Sequence, residues 1–195
     1  MAILATVPDL APAAAPPAWC RYQDGPWPVP HDTIFDFSVT PDGYGWLDDL
    51  AARATAVLAE DRGADPIVVG HADWYPGNLR FTGDRLVAAF DWDLVADTAP
   101  AVAGITAAAC VAPATTGEQA PGPEAIATFL ADVEAAAGRP FARARQRVAA
   151  AAATWTLAYN ARCDLALQDP GDAPRPGSPL AVAARHGADL LALRW

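Results

Sequence analysis

The sequence predicts an α+β fold that is predominantly α-helical and contains one small β-hairpin. Apolar residues recur at i, i+3 and i+4 spacing in several stretches, which is typical of amphipathic helices. By contrast, residues 79–81 and 85–90 are strand-like runs on either side of a Thr82-Gly83-Asp84 turn, and this pattern indicates a hairpin. A short β-branched run at residues 67–69 ends at Gly70 and predicts one more buried strand.

The helices follow from periodicity together with their end signals. Residues 45–62 carry an apolar stripe and stop at Gly63, a residue type that favours helix C-termini. An Ala-rich stretch at about 101–112 predicts a buried helix. Pro123 is placed to start the next helix, which ends at Gly138. A longer helix is expected from about 140 to 167, and Ser178 is a predicted N-cap for a final amphipathic helix.

The N-terminal part is expected to differ from this body. Residues 1–18 are rich in Ala and Pro and predict a flexible tail, which leaves residues 19–195 as a single domain. Residues 19–30 alternate aromatic residues with Pro and Gly and predict a rigid, irregular segment in which Trp19, Tyr22 and Trp27 pack on the body. Residues 31–39 are compatible with a strand or an extended loop, and His31 is expected to have no functional role.

Composition excludes several classes of function. The formal net charge of -10 and the sequence pI of about 4.5 argue against nucleic-acid binding, because neutralising phosphates requires clustered cations. Cys20, Cys110 and Cys163 form no metal-binding pattern and are typical of reduced thiols. The sequence shows neither a secretory leader nor a stretch apolar enough to span a membrane. These features together predict a cytoplasmic protein.

Polar side chains with chemical potential concentrate around the predicted hairpin. His71, Asp73 and Asn78 lie in the loop before it, and Asp91 and Asp93 lie just after it. An Asp near a substrate hydroxyl can orient that group and accept its proton. Asn and Asp oxygens are hard ligands suited to Mg²⁺. Trp74, Tyr75 and Trp92 are expected to pack around the loop.

The segment HADWYPGN followed by FDWD resembles the aminoglycoside phosphotransferase and choline kinase family, which has a protein-kinase-like fold. The resemblance implies that Asp73 is the catalytic base, with His71 bracing its loop. It implies Asn78 and Asp91 as Mg²⁺ ligands, with Asp93 as an auxiliary acidic residue. Further on, Asp97 matches an acidic position of the family, whereas a second Asp of that stretch is missing.

The resemblance covers only the helical C-terminal lobe of such enzymes. The residues before His71 are already assigned to the tail, the aromatic segment and a helix, which leaves no room for a nucleotide-binding β-lobe. The chain also has no Gly-rich phosphate loop and no Lys, although kinase-type enzymes place a Lys on the nucleotide phosphates. Arg replaces such a Lys poorly. A partner chain or a second copy is therefore expected to cover the surface facing the missing lobe.

Two hypotheses of function remain open at this point. In the first, the γ-phosphate of ATP or GTP is transferred to a hydroxyl of a small molecule, such as an aminoglycoside or an amino alcohol, with a lobe supplied from elsewhere. The resembled family holds cationic substrates with acidic residues on its late helices, which makes Asn160, Asp164 and Asp169 candidate substrate ligands. A second copy of the chain in a homodimer is compatible with this reading. In the second hypothesis, the lobe is a non-catalytic binding or interaction protein.

Overall fold

The computed structural model describes residues 27–195 except 62, 64, 110, 111, 115, 116 and 170. Its described part is an α+β fold dominated by helices, as the sequence predicts. The helices are α1 (Gly45–Asp61), α2 (Ala99–Ala109), α3 (Pro123–Ala137), α4 (Arg143–Ala166) and α5 (Pro179–Leu191). The strands are β1 (Ile67–His71), β2 (Leu79–Thr82), β3 (Arg85–Ala89), β4 (Leu94–Thr98), β5 (Ala112–Ala114) and β6 (Gly117–Gln119). The predicted tail at residues 1–18, with Trp19 and Tyr22, lies outside the described residues.

Helix α4 is the centre of the core, and α1, α2 and α5 pack around it. From Val148 to Tyr159 every residue of α4 is buried. The approach of α2 is especially close at Gly104, where an added Cβ would lie 2.1 Å from the carbonyl oxygen of Ala149. Small side chains on both helices therefore let the two backbones pack closely. Close packing on several sides holds α4 in a fixed position.

The predicted helix ends are confirmed where the sequence carried a clear signal. Helix α3 begins at Pro123, and Gly138 ends it in the left-handed conformation with φ 69°. Ser178 caps α5, since its Oγ accepts a hydrogen bond from Ala181 N at 3.3 Å. Helix α1 begins at Gly45 as predicted and buries Leu47, Leu50 and Leu58 against the core.

Across residues 27–195 as far as they are described, the β-structure consists of three separate antiparallel pairs. The predicted hairpin is β2 and β3, joined through Gly83 and Asp84, with a register shift between Arg80 and Phe81. Strand β4 was not predicted, and it pairs with β1 along its whole length, from Ile67 opposite Thr98 to His71 opposite Leu94. The short β5 and β6 pair that follows α2 was not predicted either.

Residues 27–44, here called the N-terminal segment, form an irregular loop on the surface of the body. Asp32 and Asp36 each accept a hydrogen bond from the backbone N–H two residues on, so the segment turns repeatedly and is not a strand. The buried Arg162 of α4 holds it by donating to Asp36 O at 3.1 Å and to Val39 O at 2.8 Å. Burial lowers the pKa of this guanidinium.

Two further predictions concern the thiols and membrane spans. Cys163 is a buried free thiol, and burial raises its pKa to about 12, in keeping with a structural residue. Cys20 and Cys110 lie outside the described residues. Within the described ranges, every helix is too short or too polar to cross a membrane.

Candidate active site

The pairing of β1 with β4 brings the two polar loops together. The loop after β1 contains Asp73, and the segment before β4 contains Asp91 and Asp93. Beyond the last strand pair, Ala72 N still donates to Asp93 O at 2.7 Å, so the two loops run side by side. The unpredicted strand is thus the element that places these three carboxylates near one another.

The two loops form one side of a cavity of about 430 Å³. We call this side the loop wall (Asp73, Tyr75, Asp91 and Asp93). Residues of α4 form the other side of the cavity, which we call the helix wall (Thr156, Tyr159 and Asn160). Ala72, Ala109 and His31 complete the lining. Among the described residues, the lining therefore has three carboxylates and no Arg, which favours a cation at the loop wall.

Asp73 is half-buried at the base of the loop wall. Asn78 donates its side-chain N–H to Asp73 Oδ2 at 2.7 Å and to the Asp73 carbonyl at 3.2 Å, and these bonds fix the position of the carboxylate. Burial raises the pKa of Asp73, with small additional contributions from Asp93 and Asp91, whereas the bond from Asn78 opposes the shift. A carboxylate with a raised pKa is a stronger proton acceptor, as a general base requires.

His71 supports the loop wall from beneath. Its Nε2 lies 3.0 Å from Phe90 O, so the imidazole donates across from one loop to the other. The ring packs against Trp74 and Trp92 at centroid distances of 5.6 and 4.7 Å. It is buried and does not line the cavity. His71 therefore holds the two loops together and does not contact the cavity. Tyr75 lines the cavity, whereas Trp74 and Trp92 do not.

Asp91 occupies a constrained turn between β3 and β4. Its φ is 52°, in the left-handed region that Asp tolerates better than most residues. Asp93 N then donates to Asp91 O at 3.0 Å, which tightens the turn. This conformation carries both side chains to the exposed rim of the cavity.

The donor chemistry of this rim fits a hard divalent cation. Asp91 and Asp93 supply exposed carboxylates, and the part of the lining that the structure describes contains no Arg that would compete with a bound ion. Asn78, the other expected ligand, uses its amide nitrogen on Asp73 and does not line the cavity. In the part of the chain that the structure describes, no three His, Cys, Asp or Glu side chains are grouped closely enough to hold a metal ion by themselves.

The three candidate substrate ligands on the late helices are separated by the fold. Asn160 lines the cavity. Asp164, one turn further along α4, accepts from Arg175 Nη2 at 3.0 Å and from Leu180 N at 3.4 Å, so it joins α4 to the start of α5. Asp169 is exposed beyond the end of α4 and is not part of the cavity.

Three polar cavity residues escaped the sequence analysis, namely His31, Tyr159 and Thr156. His31 was expected to have no role, yet it lines the cavity, and both its backbone N–H and its Nδ1 lie within 3.0 Å of Tyr159 Oη. Nothing in the sequence near His31 signals this contact, because its partner is 128 residues away. Thr156 had a usable signal, since it precedes Asn160 by four residues and must share its helical face.

Comparison with models of protein families, with curated proteins and with solved structures finds no match to this chain.

Proposed function

We propose that this chain carries the catalytic half of a small-molecule phosphotransferase, which transfers the γ-phosphate of ATP or GTP to a substrate hydroxyl. The observation that supports this proposal is the placement of Asp73, Asp91 and Asp93 on one cavity, with the pKa of Asp73 raised by burial. The spacing of these residues resembles that of the aminoglycoside phosphotransferase and choline kinase family. A cavity of this size is typical of small-molecule sites.

In this proposal Asp73 orients the acceptor hydroxyl and takes its proton as the oxygen attacks the γ-phosphorus. The bond from that phosphorus to the bridging oxygen of the nucleotide diphosphate breaks in the same step. Asn78 holds the Asp73 carboxylate in place, and His71 keeps the two loops in register. Asp91 and the auxiliary Asp93 would hold Mg²⁺, and Asn78 could join them only through its Oδ1, since its amide nitrogen is bonded to Asp73. The ion, when bound, would neutralise charge on the phosphate oxygens.

In this proposal the chain alone binds the metal–nucleotide, and turnover requires a nucleotide-binding lobe in addition. The hairpin offers a surface for it, because Phe81, Val87, Phe90 and Trp92 are all more than 40% exposed. We propose that a further lobe, a partner chain or a second copy covers this surface. Because the sequence contains no Lys, we propose that the partner supplies the cationic side chain that binds the nucleotide phosphates.

Calorimetric titration with MgATP and MgGTP tests the proposal. We expect a metal-dependent binding heat in the unmodified chain that is lost in Asp91→Asn. The matched control is Asp84→Asn, which removes an exposed carboxylate from the hairpin turn and is expected to change nothing. Equal heats for Asp91→Asn and the unmodified chain would contradict the proposed role of Asp91.

The same titration addresses the second candidate function, a non-catalytic binding protein. This alternative is favoured by the position of Asn78, which does not line the cavity where the other proposed metal ligands lie. Absence of heat with either nucleotide, in a sample that remains folded, would leave this second function as the better description.

A further inference from the structure

His31 reaches the cavity from a loop whose two ends are bound to the same side chain. Trp27 Nε1 and Thr40 Oγ both donate to Asp48 Oδ1 of α1, so the ends of this stretch meet at one carboxylate. We call the stretch the Asp48 loop (residues 27–40). Compact surface loops whose ends lie close together are Ω-loops, and such loops often carry functional residues.

The later half of the Asp48 loop is fixed on α4. The buried Arg162 donates to two carbonyl oxygens of the loop, and its guanidinium lies 4.7 Å from the centroid of the Phe37 ring. The same ring meets that of Tyr159 edge-on, with 5.7 Å between their centroids. Bonds from α1 and α4 therefore hold the loop on both sides of His31, and its backbone does not depend on the imidazole alone.

A single hydroxyl orients the imidazole of His31. Tyr159 Oη accepts a hydrogen bond from the His31 backbone N–H at 2.9 Å and lies 3.0 Å from Nδ1 of the same residue. The hydroxyl can give its one hydrogen to Nδ1, which is a stronger acceptor than the Cys163 sulfur one turn along α4. In the neutral imidazole the ring hydrogen then lies on Nε2. His31 is an exposed residue of the cavity lining, so a bound ligand can reach its ring.

We infer that His31 is a further substrate-binding residue, which donates through Nε2 to an oxygen atom of the acceptor, and that the Asp48 loop holds it in position for this contact. The inference rests on the proposed function, which makes the acceptor a hydroxyl compound, and it adds a specific contact to that function. An N–H donor recognises an oxygen whether or not the acceptor also carries a cationic group at the loop wall. His31 therefore selects the position of an oxygen and not the charge of the acceptor.

Two amide substitutions of His31 separate substrate binding from a purely structural role. The amide nitrogen of Gln takes about the position of Nε2, and that of Asn takes about the position of Nδ1. His31→Gln should therefore keep the donor to the ligand, whereas His31→Asn should keep the contact with Tyr159 and lose that donor. Amide chemical shifts of the ¹⁵N-labelled intact chain are followed during titration with glucose, glucosamine and ethanolamine. We expect His31→Asn to weaken binding roughly threefold to tenfold, the value of one hydrogen bond, and His31→Gln to retain it.

A purely structural role predicts the opposite order, because only His31→Asn keeps the side-chain contact with Tyr159. The inference is overturned by that order, by equal affinities of the two variants, or by the absence of any binding of the three compounds at millimolar concentration.

The contribution of the Asp48 loop is tested with Asp48→Ala. This variant releases both ends of the loop, and we expect it to weaken the same compounds about as much as His31→Asn does. The matched control is Asp49→Ala, which removes the neighbouring exposed carboxylate of α1 and should leave the affinities unchanged. Equal affinities of the two alanine variants would overturn the role of the loop, and the pair of His31 variants decides the inference even if Asp48→Ala does not fold.

Chemical modification reports on His31 directly. Carbethoxylation by diethyl pyrocarbonate is followed at each histidine by mass spectrometry, with and without the compound that binds. We expect the rate at His31 to fall on binding and the rate at His186, which lies on α5 and does not line the cavity, to stay the same. An unchanged rate at His31 in the presence of a bound compound would show that the two are not in contact.

The failure of this inference can be told apart from failure of the proposed function. If MgATP binds and Asp91→Asn abolishes that binding while the two His31 variants behave alike, the phosphotransferase proposal stands and the role of His31 is wrong. If His31→Asn weakens binding and His31→Gln does not, but no nucleotide binds, His31 is a ligand-binding residue and the phosphotransferase proposal is wrong.

Discussion

The two walls of the cavity are held in place by different means. The helix wall belongs to α4, which is buried among α1, α2 and α5 and meets α2 backbone to backbone at Gly104. The loop wall lies where the β1–β4 pair meets the β2–β3 hairpin, whose side chains are largely exposed, and a few hydrogen bonds from Ala72, His71 and Asn78 connect its parts. Isolated two-stranded hairpins are marginally stable. The comparison shows that the helix wall is fixed by the packing of the core, whereas the loop wall depends mainly on local hydrogen bonds.

The largest expected effect tests the chemistry of the loop wall. Asp73→Asn keeps the shape and the bond from Asn78 but removes the proton acceptor. If the chain is a phosphotransferase as proposed, we expect the rate of phosphoryl transfer, measured with the nucleotide-binding lobe present, to fall by about 10²- to 10⁴-fold. Product formation under saturating MgATP, measured for the variant and for the Asp84→Asn control, checks this. A variant that keeps full turnover would show that Asp73 is not the base.

The stability of the same variant, compared with that of the unmodified chain, should depend on pH, which separates the effect of the charge from that of the side-chain shape. Because burial raises the folded-state pKa of Asp73, the side chain contributes stability below its ordinary value of about 3.8 and loses it as the pH rises through the folded value. Asp73→Asn should therefore be more stable than the unmodified chain at neutral pH, and the difference should vanish on acidification. Denaturant unfolding across this range checks the sign.

A pair of glycine substitutions compares the rigidity of the two sides directly. In Gly104→Ala the new Cβ would lie 2.1 Å from the carbonyl oxygen of Ala149, so α2 and α4 must separate, at a cost of about 1–3 kcal/mol or more in the free energy of unfolding. In Gly83→Ala the Cβ meets no atom within 4 Å, and the cost is about 1 kcal/mol for the left-handed φ of 57°. Equal destabilisation in urea would contradict the difference drawn between the walls.

Removing two hydroxyls of α4 should change the free energy of unfolding by smaller amounts, and in opposite directions. Thr156→Val removes a buried group that has no partner, and we expect the free energy of unfolding to rise by about 1 kcal/mol. Thr154→Val removes a bonded hydroxyl, and we expect a decrease of about 1 kcal/mol. Thermal unfolding of the two variants side by side checks the prediction. A decrease in both would mean that Thr156 has a partner inside the folded chain.

The smallest effect on stability is expected on the hairpin surface. Phe81→Ser replaces a side chain that is 52% exposed, so the free energy of unfolding should change by about 0.5 kcal/mol or less. Self-association should weaken if a second copy covers this face. Sedimentation velocity of Phe81→Ser and of the control Leu167→Ser, which is 60% exposed at the end of α4, checks this. Identical association of the two variants would contradict a role of the hairpin as the interface.

Much of the helical scaffold could be predicted from local signals. The ends of α3 and α5 follow from Pro123, Gly138 and Ser178, each of which acts through its own backbone or side-chain geometry. The hairpin also follows from its turn residues. Strand β4 could not be found in this way, because LVADT contains two polar residues that are buried only once β1 pairs with it.

The site was predicted where its residues are close in sequence and missed where they are distant. Asp73 and Asn78 lie in one loop, and Asp91 follows the hairpin, so their order along the chain carries information. Asn160 and Asp164 could not be distinguished by spacing, because the choice depends on Arg175 in a later loop. His31 reaches the cavity through a contact with Tyr159 that no periodicity predicts.

The way in which Arg162 holds the N-terminal segment has a consequence for engineering. It binds the carbonyl oxygens of Asp36 and Val39, which are present whatever residues occupy those positions. The side chains at positions 36 and 39 can therefore be exchanged in a library while these two anchoring bonds persist. Since the same segment delivers His31 to the cavity, such a library could alter ligand preference from the outer surface of the segment.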